Sequence, residues 1–162
     1  MSDARYGYTI IKELSDAQAL PNATTVDSTN MAYVGKGTNY GQVIYVFANT
    51  DITIATGQAF SIELESYSSD TAASAIAPFS VDNEGGKVAY GGGTAETNAH
   101  IYALHKTSAD GELAFSAGDL IAEIPIPEKL LDALGHTYVQ LKYTTDADES
   151  SEKVDAVLCA AV

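Results

Sequence analysis

The clearest pattern of apolar and polar positions lies at 59–67, where Phe60, Ile62 and Leu64 alternate with Ser61, Glu63 and Glu65. Successive side chains of a strand point to opposite faces, so this stretch predicts a half-buried strand with one wet face. Just upstream, 42–47 predicts a strand of different character. Val43, Tyr45 and Phe47 make one apolar face, and Ile44 and Val46 make the opposite face apolar as well. Such a strand is expected to be covered on both sides, by core on one and by an arm, a loop or a second subunit on the other. Asn49-Thr50-Asp51 and Thr56-Gly57-Gln58 supply turn chemistry between the two. Together they are expected to form a central hairpin.

The same reading extends along the chain. Tyr6, Tyr8, Ile10 and Ile11 alternate only in part, which predicts an edge strand of the domain or an arm lying on a neighbouring subunit. Residues 15–35 are irregular, and Pro21 blocks a helix continuing from 16–20, leaving short strands at 24–26 and 31–34. The glycines between 85 and 93 are followed by neither a Lys-Ser/Thr pair nor a helix, so they predict a surface loop or hairpin tip rather than a phosphate cradle. A strand is expected at 99–106. Asp110-Gly111 then signals a hairpin turn, with 113–115 pairing back, and Gly118-Asp119 turns again into 120–124.

One short helix follows, with Pro127 in its first turn, Leu130, Leu131 and Leu134 facing inward and Gly135 as its stop. Residues 137–145 alternate again, with Val139, Leu141 and Tyr143 inward. Beyond an acidic turn at 146–152, the apolar run 154–162 is expected deep in a sheet or at an interface. About eight short strands with one short helix predict an all-β, jelly-roll-like β-sandwich.

Composition narrows the partners. A chain of 162 residues is ordinarily one domain. Its 8 basic and 22 acidic residues give a net charge of −14, which argues against nucleic acid or anionic lipid as the main partner. No apolar run approaches the ~20 residues needed to cross a bilayer. The N-terminus lacks the basic and apolar regions of a signal peptide, so folding in a cytoplasm is expected. A single cysteine, Cys159, cannot make an internal disulfide and sits among apolar neighbours that make a thiol inert.

Candidate chemistry is sparse. His100 and His105 fall on opposite faces of one strand, and His136 abuts the helix stop. The turn 146–152 has carboxylates at calcium-like spacing but lacks the glycine and terminal glutamate of an EF-hand loop, which favours a solvated turn. Glu63 and Glu65 could pair as glycosidase carboxylates, but there is no Trp for a sugar platform and no Gly-x-Ser-x-Gly elbow. The residues predict no enzyme, no cofactor and no metal. The 10 tyrosines, against 4 phenylalanines, point instead to a protein-binding surface, since tyrosine tolerates being half wet.

Several stretches, in order, carry a resemblance. Leu14-Ser15-Asp16-Ala17-Gln18-Ala19-Leu20, then Ala23-Thr24-Thr25 and Asp27-Ser28-Thr29-Asn30, are similar to the start of the cement (decoration) proteins of tailed-bacteriophage capsids, of the Bordetella phage cement protein type. Glu63-Leu64-Glu65-Ser66-Tyr67-Ser68-Ser69-Asp70, residues 120–127 with 138–144, and Val154-Asp155-Ala156-Val157-Leu158 resemble later strands of that family. The Gly-rich stretch 81–98 departs from the pattern as an insertion. The chain then divides into an N-terminal arm or edge strand at 1–14 and a single sandwich domain at 15–162. The resemblance implies an oligomer, a homodimer ahead of a homotrimer, bound to the outer face of a virion capsid. There it would bridge major capsid protein subunits and reinforce the shell. Expected contacts, to the capsid or between subunits, are Tyr6, Tyr8 and Ile10 of the arm, with Asn22, Thr24 and Asn30 of the following segment. The competing expectation is a virion-surface carbohydrate-binding or host-attachment module.

Overall fold

A computed structural model of the chain describes residues 8–35, 41–67, 70, 80–82, 87–89 and 101–161. The elements are β1 (Tyr8–Ala19), β2 (Thr25–Asp27), β3 (Ala32–Tyr33), β4 (Gln42–Ala48), β5 (Ile52–Ile54), β6 (Phe60–Tyr67), β7 (Ser80–Asp82), β8 (Lys87–Ala89), β9 (Ile101–Lys106), β10 (Leu113–Phe115), β11 (Leu120–Pro125), α1 (Glu128–Leu134), β12 (Tyr138–Thr145) and β13 (Lys153–Ala161). Tyr6, His100, the side chains of Tyr8, Leu130 and Leu134, and most of 81–98 lie outside the described residues.

One sheet has the order β1-β13-β4-β11, antiparallel throughout. In the second, β12 carries β2 and β3 on one edge and β6 on the other, followed by β9. The pairings are nested: β1 with β13, β2 and β3 with β12, β4 with β11, β5 with β10, and β6 with β9. The chain is thus one long antiparallel hairpin rolled into two main sheets, with β5 and β10 as a separate two-stranded ladder, which is the wrapping of a jelly roll. The fold is an all-β sandwich, as the pattern predicts.

Two expected pairings fail for the same reason, that the partner's edges are occupied. β4 and β6 do not form a hairpin, because β4 lies between β13 and β11 while β6 lies between β12 and β9 in the other sheet. The turns between them are real, but they carry the chain through β5 and across the sandwich. Likewise β10 does not pair back on β9, whose edges hold β6 and β7. It pairs with β5.

Between the sheets, the inward residues of each strand meet in one core. Ile44, Val46, Leu158 and Ala156 come from the first sheet; Ile62, Leu64, Val139, Leu141 and Tyr143 come from the second. Register explains the alternation, with Leu158 opposite Ile44 and Leu141 opposite Leu64. Tyr143 is fully buried, and its hydroxyl is 3.0 Å from Ser15 Oγ of β1, so the one polar atom it takes into the core is paired. Helix α1 closes on Gly135 in the left-handed conformation at φ +71°, and Leu131 packs into the core.

Leu158→Ala removes a fully buried side chain from the core between the sheets. It is expected to lower unfolding free energy by about 2–5 kcal/mol, whereas Ile11→Ser at the exposed end of β1 changes it by less than about 0.5 kcal/mol. Urea unfolding of the two variants checks the contrast.

Candidate interaction surface

The outward side of the first sheet is built from residues that a lone strand would leave wet. Across its four strands, register sets Ile10, Cys159, Val43 and Pro125 in one row. The next row is Glu13, Val157, Tyr45 and Glu123, and a third brings Asp155 beside Phe47 and Leu120. Tyr45 and Phe47, two apart on β4, hold their rings 6.3 Å apart at 33°. Both are half-buried, and Ile10 and Ile11 at the edge are 39 % and 45 % exposed. The result is an apolar band rimmed by the carboxylates of Glu13, Glu123 and Asp155. Cys159 lies within it, and burial pushes its thiol pKa up, which leaves it a poor nucleophile.

The outward side of the second sheet is the opposite case. Ser61, Glu63 and Glu65 do not form the wet face that their alternation predicts, for Glu65 is only 3 % exposed. A buried carboxylate needs partners. Glu65 has two, the Lys142 ammonium reaching across from β12 and the Tyr67 hydroxyl on its own strand. Desolvation, with the nearby charge of Asp27, pushes Tyr67 up to about 12, so it remains a neutral donor. His136 Nδ1 meets Ser66 Oγ at 2.7 Å, and burial holds its pKa below the ordinary value, keeping the ring neutral. Lys106, also buried, directs its ammonium to the carbonyls of Ala55 at 3.1 Å and Gln58 at 2.5 Å.

Carboxylates at the ends of the sandwich accept backbone N–H groups and so pin the loops. Asp110 receives Thr107 N–H at 2.6 Å, Asp119 receives Ser116 N–H at 2.8 Å, and Asp146 receives Ala59 N–H at 2.6 Å. Asp155 receives Ala17 N–H at 2.6 Å and the Asn49 amide at 2.9 Å. Hydrogen bonds from Thr107 to Asp110, and from Ser150 to Asp148, hold both carboxyls below their usual range. The 146–152 turn is therefore tied into the fold rather than solvated throughout, with Glu149 buried inside it. Among the described residues, no three His, Cys, Asp or Glu side chains converge as a metal site, and no helix is long and apolar enough to cross a membrane.

The contact residues read from the sequence fall in separate places. Tyr8 and Ile10 lie on the outer half of β1, while Asn22 and Thr24 are exposed at the turn beyond its other end, roughly 30 Å of strand away. Asn30 is engaged within the chain, giving its backbone N–H to Leu14 C=O at 2.9 Å and its amide to Glu13 C=O at 3.1 Å. The Glu65–Lys142–Tyr67 cluster has no signal in the sequence, because it depends on the register between β6 and β12. The loop staples did have a signal: Thr107-x-x-Asp110 and Ser116-x-x-Asp119 repeat one turn pattern. Comparison with protein-family models, curated proteins and solved structures gives no match to this chain.

Lys142→Met strands the Glu65 carboxylate with one neutral donor. Because Lys142 is partly exposed, the expected loss is about 1–3 kcal/mol, below that of a fully buried pair. Adding Glu65→Gln is expected to recover part of it in a double-mutant cycle. The loop carboxylates set an acid limit. Asp110 has a lowered folded-state pKa, so the stability it contributes is present above its unfolded value and is lost as the pH falls through the folded one. The urea midpoint is expected to fall from pH 5 to pH 3, and Asp110→Asn, which keeps an acceptor but cannot titrate, is expected to flatten part of that fall.

Proposed function

We propose that this chain is a decoration protein of a phage head, binding the outer surface of the capsid and bridging major capsid protein subunits without carrying out a reaction. The observation that carries this reading is the outward side of the β1-β13-β4-β11 sheet, an apolar band between carboxylates in which Tyr45, Phe47 and Val157 are half-buried and Ile10 is exposed. The ordered sequence resemblance to capsid cement proteins supplies the setting. Apolar contacts at the centre with charges at the rim are the anatomy of a protein–protein interface. The rim is acidic, so it favours a capsid surface that presents Lys or Arg around an apolar patch. Modest affinity suffices for such a role, since a symmetric shell repeats the site and each copy pins two or more subunits.

One observation favours a second reading, a carbohydrate-binding or host-attachment module of the virion. Tyr33 is 58 % exposed and packs edge-on against Tyr138, with ring centroids 5.2 Å apart at 66°. An exposed aromatic of this kind can serve as a sugar platform.

Copy number in gradient-purified particles separates the two. Decoration predicts hundreds of copies, comparable to the major capsid protein; a handful, or none, overturns it and favours attachment. Within the decoration reading, Phe47→Asp or Ile11→Asp is expected to weaken rebinding to stripped shells at least tenfold, and Tyr33→Ala is expected to leave it unchanged.

A further inference from the structure

At one end of the sandwich, the β1–β2 turn and β5 meet the 146–152 turn around two glutamates. Glu149 is 7 % exposed. Glu152 Oε1 accepts the Thr53 N–H of β5 at 2.9 Å, and its Oε2 is buried without a hydrogen-bond partner. Around them the two turns are zipped by backbone bonds. Leu20 N–H donates to Glu152 C=O at 2.9 Å, Ala23 N–H to Ala147 C=O at 2.7 Å, and Glu149 N–H to Pro21 C=O at 3.3 Å. Asn22 and Asp148 form a further antiparallel bridge. Within this zip Ala23 is held at φ +48°, a left-handed conformation that an alanine rarely adopts unaided.

Two ionised carboxylates are poorly accommodated in such a place, because burial and mutual repulsion both favour keeping a proton. One proton answers both problems. As a carboxylic acid, Glu149 becomes a donor for the orphaned Glu152 oxygen. We propose that Glu149, held as a carboxylic acid, donates to the Glu152 oxygen as a latch, which clamps the β1–β2 turn to the β12–β13 turn while the proton is bound and frees it when the proton is lost to solvent.

The surroundings support the latch. Burial first, then the charge of Glu152, holds the Glu149 carboxyl up to about 7. Asp148 and Asp146 of the same turn push in the same direction. The β1–β2 turn, from Leu20 to Thr24, brings no titratable side chain, and neither does β5. Asp51, just before β5, spends its carboxylate on Ala117 N–H at 2.8 Å. The adjacent cation, Lys153, is exposed at the end of β13. A carboxyl whose folded pKa is raised contributes stability that is full below its unfolded value and is lost as the pH rises through the folded one. The latch therefore weakens between about pH 4.5 and pH 7. The device does not depend on the capsid reading.

Hydrogen exchange of the intact protein from pH 5.5 to 8.5, corrected for intrinsic rates, tests it. Protection at Leu20, Ala23 and Glu149 is expected to fall by tenfold or more between pH 5.5 and 8, while that of Leu158 in the centre of the sheet holds. Glu149→Gln keeps a donor but cannot ionise, so its protection is expected to be flat over the same range. Unchanged protection in the wild-type protein, or the same pH slope in Glu149→Gln, overturns the latch. Should that variant fail to fold, carboxyl-carbon NMR of the wild-type protein decides. A glutamate titrating near pH 7 supports the latch, and Glu149 titrating with the ordinary carboxyls near 4.5 overturns it.

Discussion

The whole architecture depends on one pairing, that of the first strand with the last. β13 must lie against β1 on one side and β4 on the other before the first sheet has a centre. Inside it β2 and β3 with β12, β4 with β11, β5 with β10 and β6 with β9 are nested, so each of these brings together residues less distant in sequence than the pair outside it. Closing the outermost pair first costs the most loop entropy, which favours assembly from the inner pairs outward. The composition of β13 fits its position. Between Asp155 and its end there is no charge to desolvate, and Val154, Ala156 and Leu158 are all fully buried.

The strand framework was largely legible in the residues. β6, β12 and β13 announce themselves by alternation or unbroken apolarity, and the short helix by Pro127 and Gly135. What could not be read was partnership. A turn signal such as Asp110-Gly111 reports that the chain bends, not that the flanking strands join. In a jelly roll many bends cross from one sheet to the other, so the β4–β6 and β9–β10 hairpins were natural but wrong inferences. The same limit hid the polar cluster. Glu65 looks like a wet-face residue until register places Lys142 within reach, and pairing then makes burial tolerable. Of the candidate contacts, Ile10 was legible as an exposed apolar residue, whereas Asn30 turned out to hold β1 through its carbonyls.

The acidity of the chain also reads differently once the loops are described. A charge of −14 looks like a surface property. Yet Asp51, Asp110, Asp119 and Asp146 each accept a backbone N–H from a loop or turn, while Asp155 accepts one from the irregular end of β1 and Glu152 one from β5. A jelly roll needs many irregular crossings, and each leaves N–H groups without a ladder partner. Carboxylates supply strong acceptors at those points, so part of the negative charge serves the topology itself. Glu149 differs from them: its carboxyl is buried in its turn beside Glu152, and burial and that charge raise its pKa.

These features together restrict where a large partner can bind. Along β6 the outward side of the second sheet is closed, with Ser61, Glu63, Glu65 and Tyr67 all buried and Glu65 already neutralised within the chain. Approaching it would mean breaking a satisfied polar cluster. The ends of the sandwich are occupied by turns in which Asp51, Asp110, Asp119 and Asp146 are spent on backbone N–H groups. The outward side of the first sheet differs from both. Its apolar band is half-covered, its rim charges at Glu13 and Glu123 are exposed, and its edge at Ile10 and Ile11 stands in solvent. Burying that band releases water from apolar surface without stripping a paired charge. Among the described residues, it is the face on which docking costs least.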